Sequence, residues 1–201
     1  MAHERIIDLY ERTAGAWDEA RRGGPAPEER PHLAAFAAAL QPGASVLDIG
    51  CGGGVPVARD LIAGGFEVTG IDSSPALIAL CSRRFPNADW RVADMRMLDL
   101  GRRFGGLIAW HSFFHLCADD QRTMFPIFAA HAAPGALLTF TSGPLAGVAM
   151  GEWQGEPLFH DSLAQDEYRA LLSANGFDVL SFTAGMPMGT GPTVWLARYA
   201  P

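Results

Sequence analysis

The chain has no lysine: all 15 of its basic residues are arginine, and against 22 acids they leave a formal net charge of -7. No basic tract offsets that balance, because the adjacent pairs Arg21-Arg22, Arg83-Arg84 and Arg102-Arg103 are isolated from one another. A polyanion such as DNA or RNA is repelled at long range, so no nucleic-acid partner is expected. Lacking lysine, the chain also has no G-x-x-x-x-G-K-[ST] phosphate loop. Cysteine is scarce: Cys51, Cys81 and Cys117 are too far apart for a CxxC metal knuckle or a stapled secreted scaffold. Free thiols suit a reducing cytoplasm. Long apolar runs are missing too, the longest being Ala34 to Leu40, far short of the roughly 20 residues a membrane span needs. The N-terminus opens with mixed charge rather than a basic-then-apolar leader. The expectation is a soluble, cytoplasmic protein with no membrane partner.

What the chain does have is apolar weight. Hydrophobic residues make up 49% of 201 positions, which fits a single domain over 1–201 with a sizeable core. Residues 4–21 place Ile6, Ile7, Tyr10, Ala14 and Trp17 on one side of a helix that ends at Gly23-Gly24-Pro25, and a second helix near 28–40 stops before Pro42-Gly43. These form an N-terminal helical cap over 1–40. From residue 41 short β runs at 45–49, 67–71, 89–92, 107–110 and 136–141 alternate with helices near 55–64, 75–84 and 119–132. That rhythm predicts a doubly wound, mostly parallel α/β sheet. A helix near 164–174 is followed by strands at 177–184 and 193–199, joined by a turn region at 185–189. They are too close for a parallel crossover and so form an antiparallel hairpin, completing a seven-stranded sheet. Residues 142–163, rich in Gly and Pro, read as one long loop acting as a lid.

The strongest local signal is Val46-Leu47-Asp48-Ile49-Gly50-Cys51-Gly52-Gly53-Gly54, a buried strand running into a glycine-rich turn with a helix behind it. Such a turn lets the backbone approach a ligand closely. It is not the dinucleotide fingerprint G-x-G-x-x-G, because the third glycine position falls on Val55. Acids surround it instead. Asp48 precedes the turn, Asp72 closes the second strand, and Asp94 follows the third. A carboxylate at Asp72 can accept from both vicinal hydroxyls of a ribose. Asp94 can accept from an exocyclic adenine amine, with Met95 on the ring face. Alternatively Asp48 caps the corner, Asp72 caps the helix at Pro75, and Asp94 sits in a solvated turn.

The runs VLDIGCGGG, GIDSS and ADM resemble the first three motifs of class I S-adenosylmethionine-dependent methyltransferases, and the likeness extends to the terminal hairpin, covering most of residues 40–200. The resemblance implies a Rossmann-like methyltransferase fold and S-adenosylmethionine as cofactor. It implies Asp48, Gly50, Cys51 and Gly52 at the loop, Asp72 at the ribose, Asp94 and Met95 at adenine, and Ser73 beside the adenine. A site lined by acids suits a cationic sulfonium better than a pyrophosphate.

After the fourth strand comes Trp110-His111-Ser112-Phe113-Phe114-His115, where the resembled family puts residues near the methyl group, Trp110 on the cofactor side. His111 and His115 are candidate general bases, since a nitrogen or oxygen acceptor must lose a proton. Their spacing also suggests a metal pair, but no Glu follows His111 and the segment lies at a strand end, so no metal is expected. Tyr10 and Trp17 on the first helix are candidates to face the sulfonium, a cation–π contact of about 0.5–2 kcal/mol, or else core contacts. Phe113, Phe114, Trp153 and His160 are candidate contacts to a small, partly apolar acceptor. Two other readings share the glycine corner: a nicotinamide-dependent oxidoreductase, which leaves Asp94 and the terminal hairpin unexplained, and a non-catalytic S-adenosylmethionine-binding module.

Overall fold

The computed structural model describes residues 2–185 and 192–201. After a short 3-10 turn over Ala2–Arg5, helix α1 runs Ile6–Arg21 and α2 runs Arg30–Ala39. The alternating body then follows: β1 Ser45–Ile49, α3 Val57–Ala63, β2 Glu67–Asp72, α4 Pro75–Arg84, β3 Asp89–Val92, β4 Phe104–Ala109, α5 Ala118–His131 and β5 Ala132–Ser142. A small hairpin, β6 Ala149–Trp153 and β7 Glu156–His160, precedes α6 Gln165–Ala174 and the final strands β8 Phe177–Thr183 and β9 Thr193–Tyr199. The turn region anticipated at 185–189 lies largely outside the described residues.

The main sheet has seven strands in the order β3-β2-β1-β4-β5-β9-β8. All neighbours are parallel except β9, which runs antiparallel to both β5 and β8. Val46, Leu47 and Ile49 of β1 are essentially without solvent contact, as expected of a central strand covered on both faces. One face carries an aromatic core in which Phe113, Phe125, Phe128, Phe140, Tyr168 and Trp195 pack together. The opposite face buries Phe36, Leu40, Ala58, Leu61 and Ile108 under α2 and α3.

Connections from β1 lead to β2 and β3 on one side, whereas β4 and β5 lie on the other. The carboxyl ends of β1 and β4 therefore flank the reversal point, where ligands bind in open α/β sheets. Gly50 and Gly52 turn the chain there with φ of 76° and 55°. A Cβ at Gly50 would collide with the Ser112 side chain, so glycine is required both by conformation and by space.

Two expectations need correction. The fourth strand occupies Phe104–Ala109, leaving Trp110 just past its end. Residues 142–163 are not one loop: β5 extends to Ser142, and β6 pairs with β7 across Gln154-Gly155, both at positive φ. Positive φ at both central residues matches a type I′ hairpin turn, which Gln-Gly signals less clearly than Asn-Gly. The hairpin docks on α1. Leu158 and Phe159 pack on Ile6 and Leu9, Trp153 Nε1 donates to Thr13 Oγ1 at 3.0 Å, and Arg12 Nη1 pairs with Glu156 at 2.8 Å.

Candidate active site

The glycine corner, the tips of β2 and β3, the segment after β4 and helix α1 enclose one cleft. Asp72, at the end of β2, holds the corner: Oδ2 accepts from the Gly52 N–H at 2.9 Å and Oδ1 from the Ser74 N–H at 2.9 Å. Each oxygen keeps a lone pair for a further donor. Ser74, rather than Asp72, caps α4, accepting from the Leu77 N–H at 3.1 Å. Burial pushes the Asp72 carboxyl above its usual range despite the N–H groups of Ser74 and Gly52.

Asp48 is 2% exposed and lies beneath the corner. Burial first, and then the charge of Asp72, push its carboxyl up to about 8. Its Oδ2 has no hydrogen-bond partner among the described residues, and neither does the indole N–H of Trp110; both side chains line the cleft. Two side chains that line the cleft thus each bury a polar atom, one acceptor and one donor, with no partner among the described residues, a costly arrangement unless a ligand meets them.

Ser73, Cys51 and Met95 line the same cleft, the Met95 methyl lying beside Gly50. Cys51 is a buried free thiol with its ionisation pushed up by burial. Asp94 lines the cleft too, but it is not an open acceptor: Arg96 donates to it from Nε at 3.0 Å and from Nη2 at 2.5 Å, and Arg96 also reaches Asp120 at 3.1 Å. Those arginine bonds hold the Asp94 carboxyl below its usual range. A donor arriving from a ligand has to share the carboxylate with Arg96.

A second cavity lies between the cap and the β6–β7 hairpin, lined by Glu29, Phe114, Leu158 and His160 among others. Tyr10, Trp17, Arg21, His111 and His115 belong to the walls of both cavities. The two histidines differ sharply there. His115 has both ring nitrogens engaged: Nδ1 lies 2.8 Å from the Phe159 carbonyl, which only accepts, so Nε2 accepts from Tyr10 Oη at 2.8 Å. Burial lowers its basicity to about 3. His115 therefore has no lone pair for a substrate proton, against the expectation that it is a base.

His111 sits at φ 51°, its N–H donating to Thr141 Oγ1 at 2.9 Å and its Nε2 contacting Glu29 Oε1. Glu29 is 4% exposed; its other oxygen accepts from the Ala26 N–H at 2.9 Å and lies 3.8 Å from Arg21. Burial raises the Glu29 carboxyl, but His111, the Ala26 N–H and Arg21 together outweigh it and hold the group down at about 2.

Two of the expected acceptor contacts are corrected. Phe113 has no exposed surface and packs on Phe125, Phe128, Phe140 and Tyr168, because the 3-10 turn over Phe113–His115 points it into the core. Trp153 lines neither cavity; it stands edge-on to Trp17 at 5.2 Å and is bonded to Thr13. Phe114 and His160 do line the second cavity, with His160 stacked on His115 at 4.9 Å. Tyr10 and Trp17 meet edge to face at 4.9 Å on the shared wall.

Several contributors carry no motif. Glu11 on α1 accepts from Ser74 Oγ at 2.5 Å and from the Ala76 N–H at 3.0 Å, and Glu29 engages His111 from the start of α2. Their partners are 63 to 82 residues away in sequence, so no local pattern marks them.

Residues 46–135 match the family model described as a methyltransferase domain. Over 97 residues, 47% of this chain, the sequence is 34% identical to the dTDP-3-amino-3,6-dideoxy-alpha-D-glucopyranose N,N-dimethyltransferase of Streptomyces fradiae. That match spans only 38% of the curated relative's length. Among solved structures, the 1,6-didemethyltoxoflavin-N1-methyltransferase of Burkholderia thailandensis, with its substrate and S-adenosylhomocysteine bound, superposes with a TM-score of 0.75. It is 21% identical, covering 100% of this chain and 91% of that one. The SAM-bound amino pentose methyltransferase of Micromonospora echinaspora gives 0.72 at 21% identity, over 92% and 97% of the two chains. The corner and the acid-tipped strands thus lie in a segment, residues 46–135, that is similar to a methyltransferase domain, and the sheet with its antiparallel last strand has the Rossmann-like fold of these solved methyltransferases.

Proposed function

We propose that this chain transfers a methyl group from S-adenosylmethionine to a nitrogen or oxygen of a small, partly apolar molecule. The observation that carries this reading is the pair of unpartnered polar atoms, Asp48 Oδ2 and Trp110 Nε1, on the wall of the cleft that holds Gly52 and Asp72. A carboxylate oxygen and an N–H that both lack a partner suit a ligand bearing both a cation and an anion, as the amino-acid end of S-adenosylmethionine does. Asp72 and Ser73 serve the ribose side; Asp94 and Met95 border the adenine. Gly50, Cys51 and Gly52 supply the close backbone. When bound, S-adenosylmethionine supplies an electrophilic methyl carbon on a positively charged sulfur.

The protein's share is position and proton handling. The acceptor occupies the second cavity against Phe114 and His160, and the shared wall of Tyr10, Trp17 and His111 is where the two ligands meet. His111 is the general base. Tyr10, bonded to His115, keeps its hydroxyl un-ionised, because burial and then the charge of Asp72 drive its ionisation far upward. Relatives that methylate amino sugars and a toxoflavin precursor support a small acceptor with a proton-bearing heteroatom. The net charge of -7 argues against a nucleic-acid acceptor, and three free cysteines suit a cytoplasmic location. No helix among the described residues is long and apolar enough to cross a membrane. The hairpin β6–β7, which closes the acceptor side against α1, acts as the lid of a single catalytic domain.

The test is release of S-adenosylhomocysteine during incubation with S-adenosylmethionine and a panel of small amines and phenols. Acceptor-dependent release supports the reading. Binding of the donor without release from any acceptor, with the donor unchanged, would favour a sensing module instead.

A further inference from the structure

Glu29 belongs to no strand tip and no motif, yet it places a buried carboxylate against the ring of His111. We propose that Glu29, at the start of the second cap helix, is the positioning residue of a carboxylate–imidazole dyad with His111. The inference rests on the methyl-transfer reading for its purpose, but not for its geometry.

The geometry assigns the proton. A carboxylate only accepts, so the contact of His111 Nε2 with Glu29 Oε1 puts the ring hydrogen on Nε2. In the neutral ring Nδ1 then carries the lone pair, and no described residue bonds to it. The ring that carries it belongs to a residue lining both cavities. When an acceptor X–H enters the second cavity, its proton forms the new N–H bond at Nδ1. The X–H electron pair stays on X as the nucleophile, and the imidazolium later returns its proton to water. Glu29 balances the positive charge on the ring meanwhile, as the third group of a catalytic triad does.

Glu29 is itself held in place: the Ala26 N–H anchors Oε2, Arg21 stands 3.8 Å away, and burial prevents water from replacing His111. The His111 backbone is held too, at a left-handed φ rare for a side-chain-bearing residue, with Thr141 accepting from its N–H. Such strain at a ring shared by two cavities matches a functional placement better than a packing accident. The other two rings of the cluster differ: His115 is saturated by Phe159 and Tyr10, and His160 is stacked on it.

The test needs no known acceptor. Two-bond proton–nitrogen spectra of 15N-histidine-labelled protein, with the His111 signals identified by their loss in H111A, report which ring nitrogen carries the proton. The wild type is expected to show a protonated Nε2 and a bare Nδ1, with the Nε2 proton far downfield. In E29Q, which retains an acceptor but not the charge, that proton moves upfield; in E29A the downfield signal is lost. Calorimetric affinity for S-adenosylhomocysteine is expected to stay within about threefold in E29Q. A proton on Nδ1 in the wild type, or a His111 spectrum unchanged in E29Q, overturns the proposal. If the wild type fails to bind S-adenosylhomocysteine while the spectra behave as stated, the methyl-transfer reading fails and the dyad stands.

Discussion

Arg84, the last residue of α4, reaches Asp18 on α1 with both ends of its guanidinium: Nη2 donates to Oδ2 at 2.5 Å and Nη1 to Oδ1, while Nη1 also donates to the Gly53 carbonyl at 3.0 Å. One side chain thus ties the cap to the glycine corner. Asp18 is 2% exposed, so removing its main partner leaves a buried carboxylate with, among the described residues, Arg22 as its remaining cation. Arg84→Ala should cost about 3 kcal/mol, which at this chain length lowers Tm by roughly 6–12 °C. Thermal unfolding checks this, and a drop below 2 °C would contradict the tie. Because the cap forms one wall of both cavities, S-adenosylmethionine affinity should fall with it.

Asp48 sets the pH behaviour of the empty site. Its carboxyl stands at about 8 against an ordinary value of 3.8, so the folded protein holds this proton more tightly than the unfolded chain does. Stability of the unliganded protein should therefore decline as pH rises from about 4 to about 8, and the decline should shrink in Asp48→Asn. Binding of a cationic donor favours the ionised form. Affinity should rise with pH toward about 8, by up to about tenfold per unit, with proton release below that point. Calorimetry in buffers of different ionisation enthalpy measures both.

The Tyr10–His115 bond joins a half-buried hydroxyl to a buried imidazole, and truncating one partner strands the other. Tyr10→Phe and His115→Phe should each destabilise by about 1–3 kcal/mol, and the double variant should cost less than their sum. Since His115 stays neutral down to about 3, neither its removal nor its titration should produce the acidic limb of a pH–rate profile. A limb that vanishes in a His115 variant but persists in His111→Ala would reverse the two assignments.

Phe113→Ala separates core from site. The ring is fully buried among five aromatic side chains, counting Trp195 behind Phe140, so its loss should cost about 3–5 kcal/mol. In the protein that remains folded, affinity for S-adenosylmethionine should be unchanged. Phe114→Ala should show the converse, with stability nearly kept and acceptor KM raised.

The β1 corner, the alternating body and the closing antiparallel strands were legible because each is written locally: an apolar run, a glycine cluster, an acid at the strand tip. Asp72 at Gly52 follows from that grammar. The core position of Phe113 is not legible, because periodicity says nothing about which of two adjacent aromatics a single 3-10 turn sends inward. The β6–β7 hairpin was hidden by glycine and proline in short strands, and by a Gln-Gly turn. Glu29, Glu11 and the Asp18–Arg84 tie were illegible for another reason. Each joins the cap to the sheet across a long stretch of chain, and only the packing of α1 and α2 brings the partners together.

The most direct measurement is calorimetric titration of the wild type and of Asp72→Ala with S-adenosylmethionine, alongside NADH as a control. The account predicts saturable one-to-one binding by the wild type, at least about tenfold weaker binding by Asp72→Ala for the loss of charge-assisted hydrogen bonds, and no response to NADH. No heat with S-adenosylmethionine, or equal affinity in the two proteins, would contradict it.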